Sequence, residues 1–312
     1  MRVARMPFSG PPDLARLVEI IGVPVDAGAG RRGARLGPQA IRAVGLVERI
    51  GALGYRVRDT GDVAVLADVQ TPLGPGKPHS FEMLHATALA LADSVERSLG
   101  SGAFPIIVGG DHSLAIGALA GCARAKGPQG LIWIDAHADA NTPATSPTGN
   151  LHGMPVGAAL GDMRELFDAK LFPTPSIDAA RTVFVALRDL DPGEKRQIRE
   201  RGMTAFTMSD IDRIGMAKVM ERAVEIAGRG PASIHVSFDI DAIDPAAAPG
   251  TGTPVQGGLT YREGHLAMEI VAESGTAHSL EVVEVNPVID DGVKTARVAM
   301  ELVCSALGKS IL

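Results

Sequence analysis

The chain has 312 residues, with 36 acidic and 30 basic side chains and a formal net charge of −6. That balance gives no basic surface for nucleic acid, and no run of about 20 apolar residues offers a membrane span. Hydrophobic residues make up 46% of the chain, enough for one large core, and the 37 glycines and 21 prolines are scattered, as many tight connections require. Cys122 and Cys304 stand outside any CxxC spacing, so they read as buried apolar side chains in a reducing, cytoplasmic setting. The opening, MRVARMPFSGPP, lacks the apolar stretch of a secretory signal and reads as a flexible extension covering residues 1–15.

Residues 17–23 read as a first strand, followed by a glycine-rich loop and a helix opened by Gly37-Pro38. A second strand is expected at 55–59, and the apolar spacing of 79–100 predicts a helix closed by a glycine. Five further runs, at 104–108, 131–134, 182–186, 234–238 and 279–285, are short, β-branched and apolar on both faces. Parallel strands covered on both sides have that pattern. Helices are expected between them, at 114–126, 194–201, 212–228, 262–274 and 292–307. The alternation predicts an α/β fold: one domain, 1–312, with three α/β/α layers around a mostly parallel sheet.

In open α/β sheets, ligands bind beyond the carboxyl ends of the strands. The strand 131–134 runs into Asp135-Ala136-His137-Ala138-Asp139, and extended backbone would point all three polar side chains one way. The strand 234–238 runs into Asp239-Ile240-Asp241, with Asp244-Pro245 closing a turn, and 104–108 runs into Gly109-Gly110-Asp111-His112. Carboxylates gathered so closely repel one another unless a cation sits among them. The candidate ligands are His112, Asp135, His137, Asp139, Asp239 and Asp241. Six ligands exceed what one ion needs, so two divalent ions about 3.5–4 Å apart are expected. A sulfur-free, carboxylate-rich set suits Mn²⁺, although imidazole also admits Zn²⁺.

With these motifs, and with Ser237-Phe238-Asp239-Ile240-Asp241-Ala242-Ile243-Asp244-Pro245, the chain resembles the ureohydrolases, the family of arginases and agmatinases, from about Ile20 to about Leu307. The resemblance implies two Mn²⁺ per subunit and hydrolysis of a guanidino group to urea and an amine. One ion would be held by His112, Asp135, Asp139 and Asp239, the other by Asp135, His137, Asp239 and Asp241, with Asp135 and Asp239 bridging. The stretch Asn141-Thr142-Pro143 through Thr148-Gly149-Asn150-Leu151-His152-Gly153 looks like the arginase branch, which grips an amino acid's α-carboxylate and α-ammonium. So do Arg188-Asp189-Leu190-Asp191-Pro192-Gly193-Glu194 and Glu284-Val285-Asn286-Pro287. Arginases carry serine where this chain has Thr148, which keeps the hydroxyl.

By that resemblance the substrate is L-arginine and the products are L-ornithine and urea. Asn141, Thr148 and Asn150 would read the carboxylate and Asp191 the ammonium. Glu284 would pair with the guanidinium, and Thr253 would hydrogen-bond a guanidinium nitrogen or the developing intermediate. Asp139 would carry a proton to the leaving amine, and His152 would shuttle protons or act as the acid. Asp111 and Asp244 are expected to support the site, and His79, His85, His235, His265 and His278 to serve packing. Homo-trimers or hexamers are implied, and the close after a last helix looks bacterial. Two alternatives stay open: agmatine or another guanidino compound as substrate, and a deacetylase-like metal amidohydrolase.

Overall fold

A computed structural model describes residues 13–66, 78–230 and 234–310. In chain order the elements are β1 (Leu17–Val23), α1 (Gly37–Ala43), α2 (Leu46–Ala52), β2 (Arg56–Asp62), α3 (Phe81–Gly100), β3 (Phe104–Gly109), α4 (Ala115–Lys126) and β4 (Gln129–Ile134). They continue with α5 (Pro155–Leu160), β5 (Ile177–Leu187), α6 (Pro192–Arg201), β6 (Thr204–Thr207), α7 (Met208–Ile214), α8 (Met216–Ala227), β7 (Ile234–Asp239), α9 (Tyr261–Ser274), β8 (Ala277–Val283) and α10 (Lys294–Ala306).

The strands form one sheet in the order β2-β1-β3-β8-β7-β4-β5-β6, and every pairing is parallel. Alternate residues of each strand feed opposite faces. Ile106 and Val108 join a core with α8, α9 and α10, whereas Ile107 packs with α3 and α4. Leu131 and Trp133 point to that second side, into a cluster that includes α5 and Ile198 of α6. Because both faces are covered, β3, β4 and β7 are buried at every position, which is why their sequences read as unbroken apolar runs.

The topology positions the site. The chain passes from β3 to β4 while leaving room for two strands, and β7 and β8 fill that room later. The contiguous quartet β3-β8-β7-β4 therefore brings four strand ends to one crevice.

Several expectations need correction. The helix expected over 212–228 is two helices, α7 and α8, because Gly215 adopts φ 84° between them. The edge strand β6 was not foreseen; it is four residues long and half-buried, too short to show a period. The strand expected to run to Val285 ends at Val283, and Glu284 turns out of it with φ 63°. The expected extension at 1–15 lies almost wholly outside the described residues.

Candidate active site

His112 leaves β3 through two glycines. Gly110 has no room for a side chain, since a Cβ there would lie 1.7 Å from the Val25 carbonyl oxygen. Asp111 then caps a short 3-10 turn, its Oδ1 accepting the Ser113 N–H at 3.0 Å and its Oδ2 the Gly28 N–H at 2.7 Å. The buried His112 ring stacks on Trp133, with centroids 4.0 Å apart and planes 5° apart.

The Nδ1 of His112 faces three carboxylates: Asp135 Oδ2 at 3.2 Å, Asp139 Oδ2 at 3.1 Å and Asp239 Oδ2 at 3.1 Å. It has no hydrogen-bond partner. The Nδ1 of His137 faces Asp135 Oδ1 at 3.3 Å and Asp241 Oδ2 at 3.2 Å. Asp135 thus turns one oxygen to each histidine. Two sets of ligand atoms converge within 4.8 Å, His112-Asp135-Asp139 and Asp135-His137-Asp241, and they share Asp135. Asp239 meets the first histidine, while its Oδ1 accepts the Asp241 N–H at 2.8 Å. One oxygen of Asp239 thus faces the His112 group and the other the backbone of Asp241 in the second group.

The electrostatics call for positive charge. Burial alone would lower the pKa of His112, but the carboxylates Asp135, Asp139 and Asp239 outweigh it and hold the value well above the usual one. His137 is raised against burial in the same way by Asp241 and Asp135. Burial pushes the Asp241 carboxyl up to about 6, with the Asp135 charge adding to it. Burial, then the charges of Asp241 and Asp135, also hold the Asp239 carboxyl well above its usual value. A divalent cation relieves both the carboxylate repulsion and the orphaned His112 Nδ1, so the residues fit a metal site.

The backbone route to this convergence differs from the expected one. Residues 135–139 are not extended; the strand stops at Ile134 and Asp139 has φ 48°. Asp241 likewise lies in a 3-10 turn after Asp239. Left-handed backbone at non-glycine residues is costly, and here Asp139 and Glu284, both at the cluster, adopt it.

The remaining predicted residues surround the cluster. Glu284 is buried, and its Oε1 accepts the His112 N–H at 2.9 Å and lies 3.0 Å from His152 Nδ1. Burial lowers the His152 pKa, but the Glu284 hydrogen bond and charge raise it to about 9. Thr253 donates its hydroxyl to Asp241 Oδ2 at 3.0 Å, so towards a guanidinium its oxygen acts as acceptor. Asp244 holds the return of that loop, accepting from Ala246 and Gly257 at 2.9 Å each and from Gly258 at 3.2 Å.

The 141–153 loop is tied to the cluster by Asn141 N to Gly153 O at 3.1 Å and Val156 N to Asp139 O at 3.0 Å. Asn141 is itself pinned: its Nδ2 donates to Asp191 Oδ2 at 2.9 Å and its Oδ1 accepts from Thr145 Oγ1 at 2.9 Å. Thr148 is exposed, with its oxygen accepting the Asn150 N–H at 3.2 Å. Asp191 caps α6 in a box with Glu194, whose Oε2 accepts the Asp191 N–H at 2.8 Å. Burial, then the Asp139 charge, raise Glu194 to about 7.

Sequence reasoning assigned no role to Thr145, Glu194 or Arg188. The Arg188 guanidinium donates to the carbonyls of Asp241 at 2.6 Å and Val255 at 2.8 Å, clamping the metal-facing loop from below. Arg188 and Glu194 both stood in the quoted motif, but nothing in their spacing distinguished them from surface charges.

Fold and cluster together define an α/β protein able to hold divalent cations beyond the carboxyl ends of its central strands. The Arginase family profile matches residues 16–308, and the chain belongs to that family. It is 43% identical to the arginase of Bacillus caldovelox over 296 residues, covering 95% of this chain and 99% of that one. The crystal structure of the same organism's arginase superposes with a TM-score of 0.92, covering 95% and 100% of the two chains. The Entamoeba histolytica arginase structure, in complex with L-ornithine, is 30% identical, has a TM-score of 0.85 and is covered over 95% and 99% of the two chains.

Proposed function

We propose that this protein hydrolyses the guanidino group of L-arginine to L-ornithine and urea at two Mn²⁺ ions. The observation that carries the reading is the orphaned Nδ1 of His112 among three carboxylate oxygens, beneath a loop that sets Asn141 against Asp191. The named relatives are arginases, and one is seen with L-ornithine, which supports the choice of substrate.

In this reading His112, Asp135, Asp139 and Asp239 would hold one ion, and Asp135, His137, Asp239 and Asp241 the other. Bound there, such ions act as Lewis acids and bring the pKa of water towards neutrality, which provides a nucleophile. The chain's own groups do the rest. Glu284 keeps Oε1 on His112 and His152, leaving Oε2 to accept guanidinium N–H groups and orient the carbon. Water oxygen bonds to that carbon, and its C–N bond to the alkyl chain breaks. Asp139 receives the water's proton and passes it to the departing nitrogen. His152, protonated below about 9, supplies the further proton that leaves the product as an ammonium, and the water's other proton, released to solvent, restores it. Asp191 accepts from the α-ammonium, while Asn141, Thr148 and Asn150 donate to the α-carboxylate.

Two unpaired, buried cysteines support a reducing compartment. Among the described residues no helix is long and apolar enough to cross a membrane. The reading includes a homo-oligomer, which sedimentation would measure. The direct test is product analysis with added Mn²⁺. Urea and ornithine should form in equal amounts from L-arginine and stop on chelation. Activity on acyl-amines without urea from any guanidino compound would favour the amidohydrolase reading instead.

A further inference from the structure

Below the carboxylate cluster lies a second polar group that the reaction does not use. Glu281 of β8 is fully buried, and its carboxylate faces His235 and the Ser237 hydroxyl. Two imidazole nitrogens face its Oε1: His235 Nε2 at 3.4 Å and His112 Nε2 at 3.9 Å. Ser237 stands opposite Glu281 in the β7–β8 pairing, and its hydroxyl lies 2.8 Å from His112 Nε2. The far end is anchored, since His235 Nδ1 meets Ser279 Oγ at 2.8 Å and Ser279 Oγ lies 3.2 Å from Cys122 Sγ.

A buried carboxylate is expensive to hold in an apolar sheet, so its place there calls for an explanation. A core ion pair with His235 accounts for one side of it. Burial lowers the His235 pKa, and the Glu281 charge overrides this and raises it to about 10. It does not account for the other side, where the same oxygen faces the back of a candidate metal ligand. An imidazole that offers Nδ1 to a cation must carry its proton on Nε2. A negative charge behind Nε2 favours that tautomer, and the Ser237 hydroxyl receives the hydrogen bond.

We propose that Glu281, acting through Ser237, is a positioning residue that keeps the His112 proton on Nε2 and so leaves Nδ1 free for the first metal ion. The proposal rests on the metal-dependent reading above. It predicts an effect confined to one ion, because Glu281 faces the back of His112 and not His137. A merely structural Glu281 would destabilise the sheet without separating the two ions.

The test is Mn²⁺ binding to the purified full chain, by calorimetry and by electron paramagnetic resonance of the exchange-coupled pair. In Glu281→Gln the amide can donate towards Ser237 and reverse the hydrogen bond. One of two ions should then bind about 10–100-fold more weakly, with the other within about threefold of wild type, and the pair signal should give way to that of isolated Mn²⁺. Ser237→Ala removes the link with little change in volume. It should lose the same ion to a similar degree, and it serves as the test if Glu281→Gln does not fold. Wild-type affinity for both ions in either folded variant, or equal weakening of both, would overturn the proposal. A wild-type chain that binds no Mn²⁺ would instead overturn the metal-dependent reading and the proposal with it.

Discussion

His152 Nδ1 lies 3.0 Å from Glu284 Oε1, the same oxygen that accepts the His112 backbone N–H at 2.9 Å. One buried carboxylate oxygen therefore ties the 141–153 loop to the turn that carries His112. The second oxygen is what a guanidinium would meet.

Glu284→Gln keeps an oxygen for both neighbours and removes the charge. Losing a charge-assisted contact costs about 1.5–3 kcal/mol, or roughly 10–100-fold in kcat/KM. Steady-state urea release should fall by that factor while Mn²⁺ content stays at the wild-type value. Wild-type kcat/KM in this variant would contradict the guanidinium role.

The same pair sets a pH dependence of stability. The folded His152 pKa is raised, to about 9, from the usual 6.5. A raised histidine contributes stability in full below the unfolded pKa, and that contribution is lost as pH rises towards about 9. Thermal melts of chelator-treated protein should therefore show Tm falling more steeply from pH 6.5 to pH 9 in wild type than in His152→Asn. Parallel curves would remove the ion pair from the account.

Substrate choice should separate by position. Agmatine lacks the α-carboxylate but keeps an amine. Thr148→Ala should lower kcat/KM for L-arginine about tenfold and leave agmatine within about threefold. Asp191→Asn, which still caps α6, should weaken both substrates by about 10–100-fold. Equal losses for both substrates in Thr148→Ala would argue against a carboxylate contact.

Gly110 tests the scaffold. A Cβ there would lie 1.7 Å from the Val25 oxygen and 2.7 Å from its backbone nitrogen and carbon, none of which is a mobile side-chain end. Gly110→Ala should cost about 3 kcal/mol or more. A Tm within 2 °C of wild type, from the about 2–4 °C per kcal/mol expected at this size, would contradict the fit.

The apolar runs made the sheet legible in the sequence because every central strand is covered on both faces. The six candidate metal ligands were legible because Asp239 closes β7 and the other five follow strand ends. The means of convergence was not. Alternation suggested an extended Asp135-to-Asp139 segment, whereas Asp139 adopts φ 48° and its turn is held by contacts distant in sequence. His235 reads in the sequence as a packing residue, and Glu281 carries no assigned role. Their meaning depends on the β7–β8 register, which no local pattern encodes.

In the proposed function the 141–152 loop, set above the carboxylate cluster, directs a guanidino hydrolase to an amino acid. Its most direct test is kcat/KM for urea release from L-arginine and from agmatine, measured side by side on one Mn²⁺-loaded preparation. A large preference for L-arginine is predicted, and a preference for agmatine, or urea from neither, would contradict it.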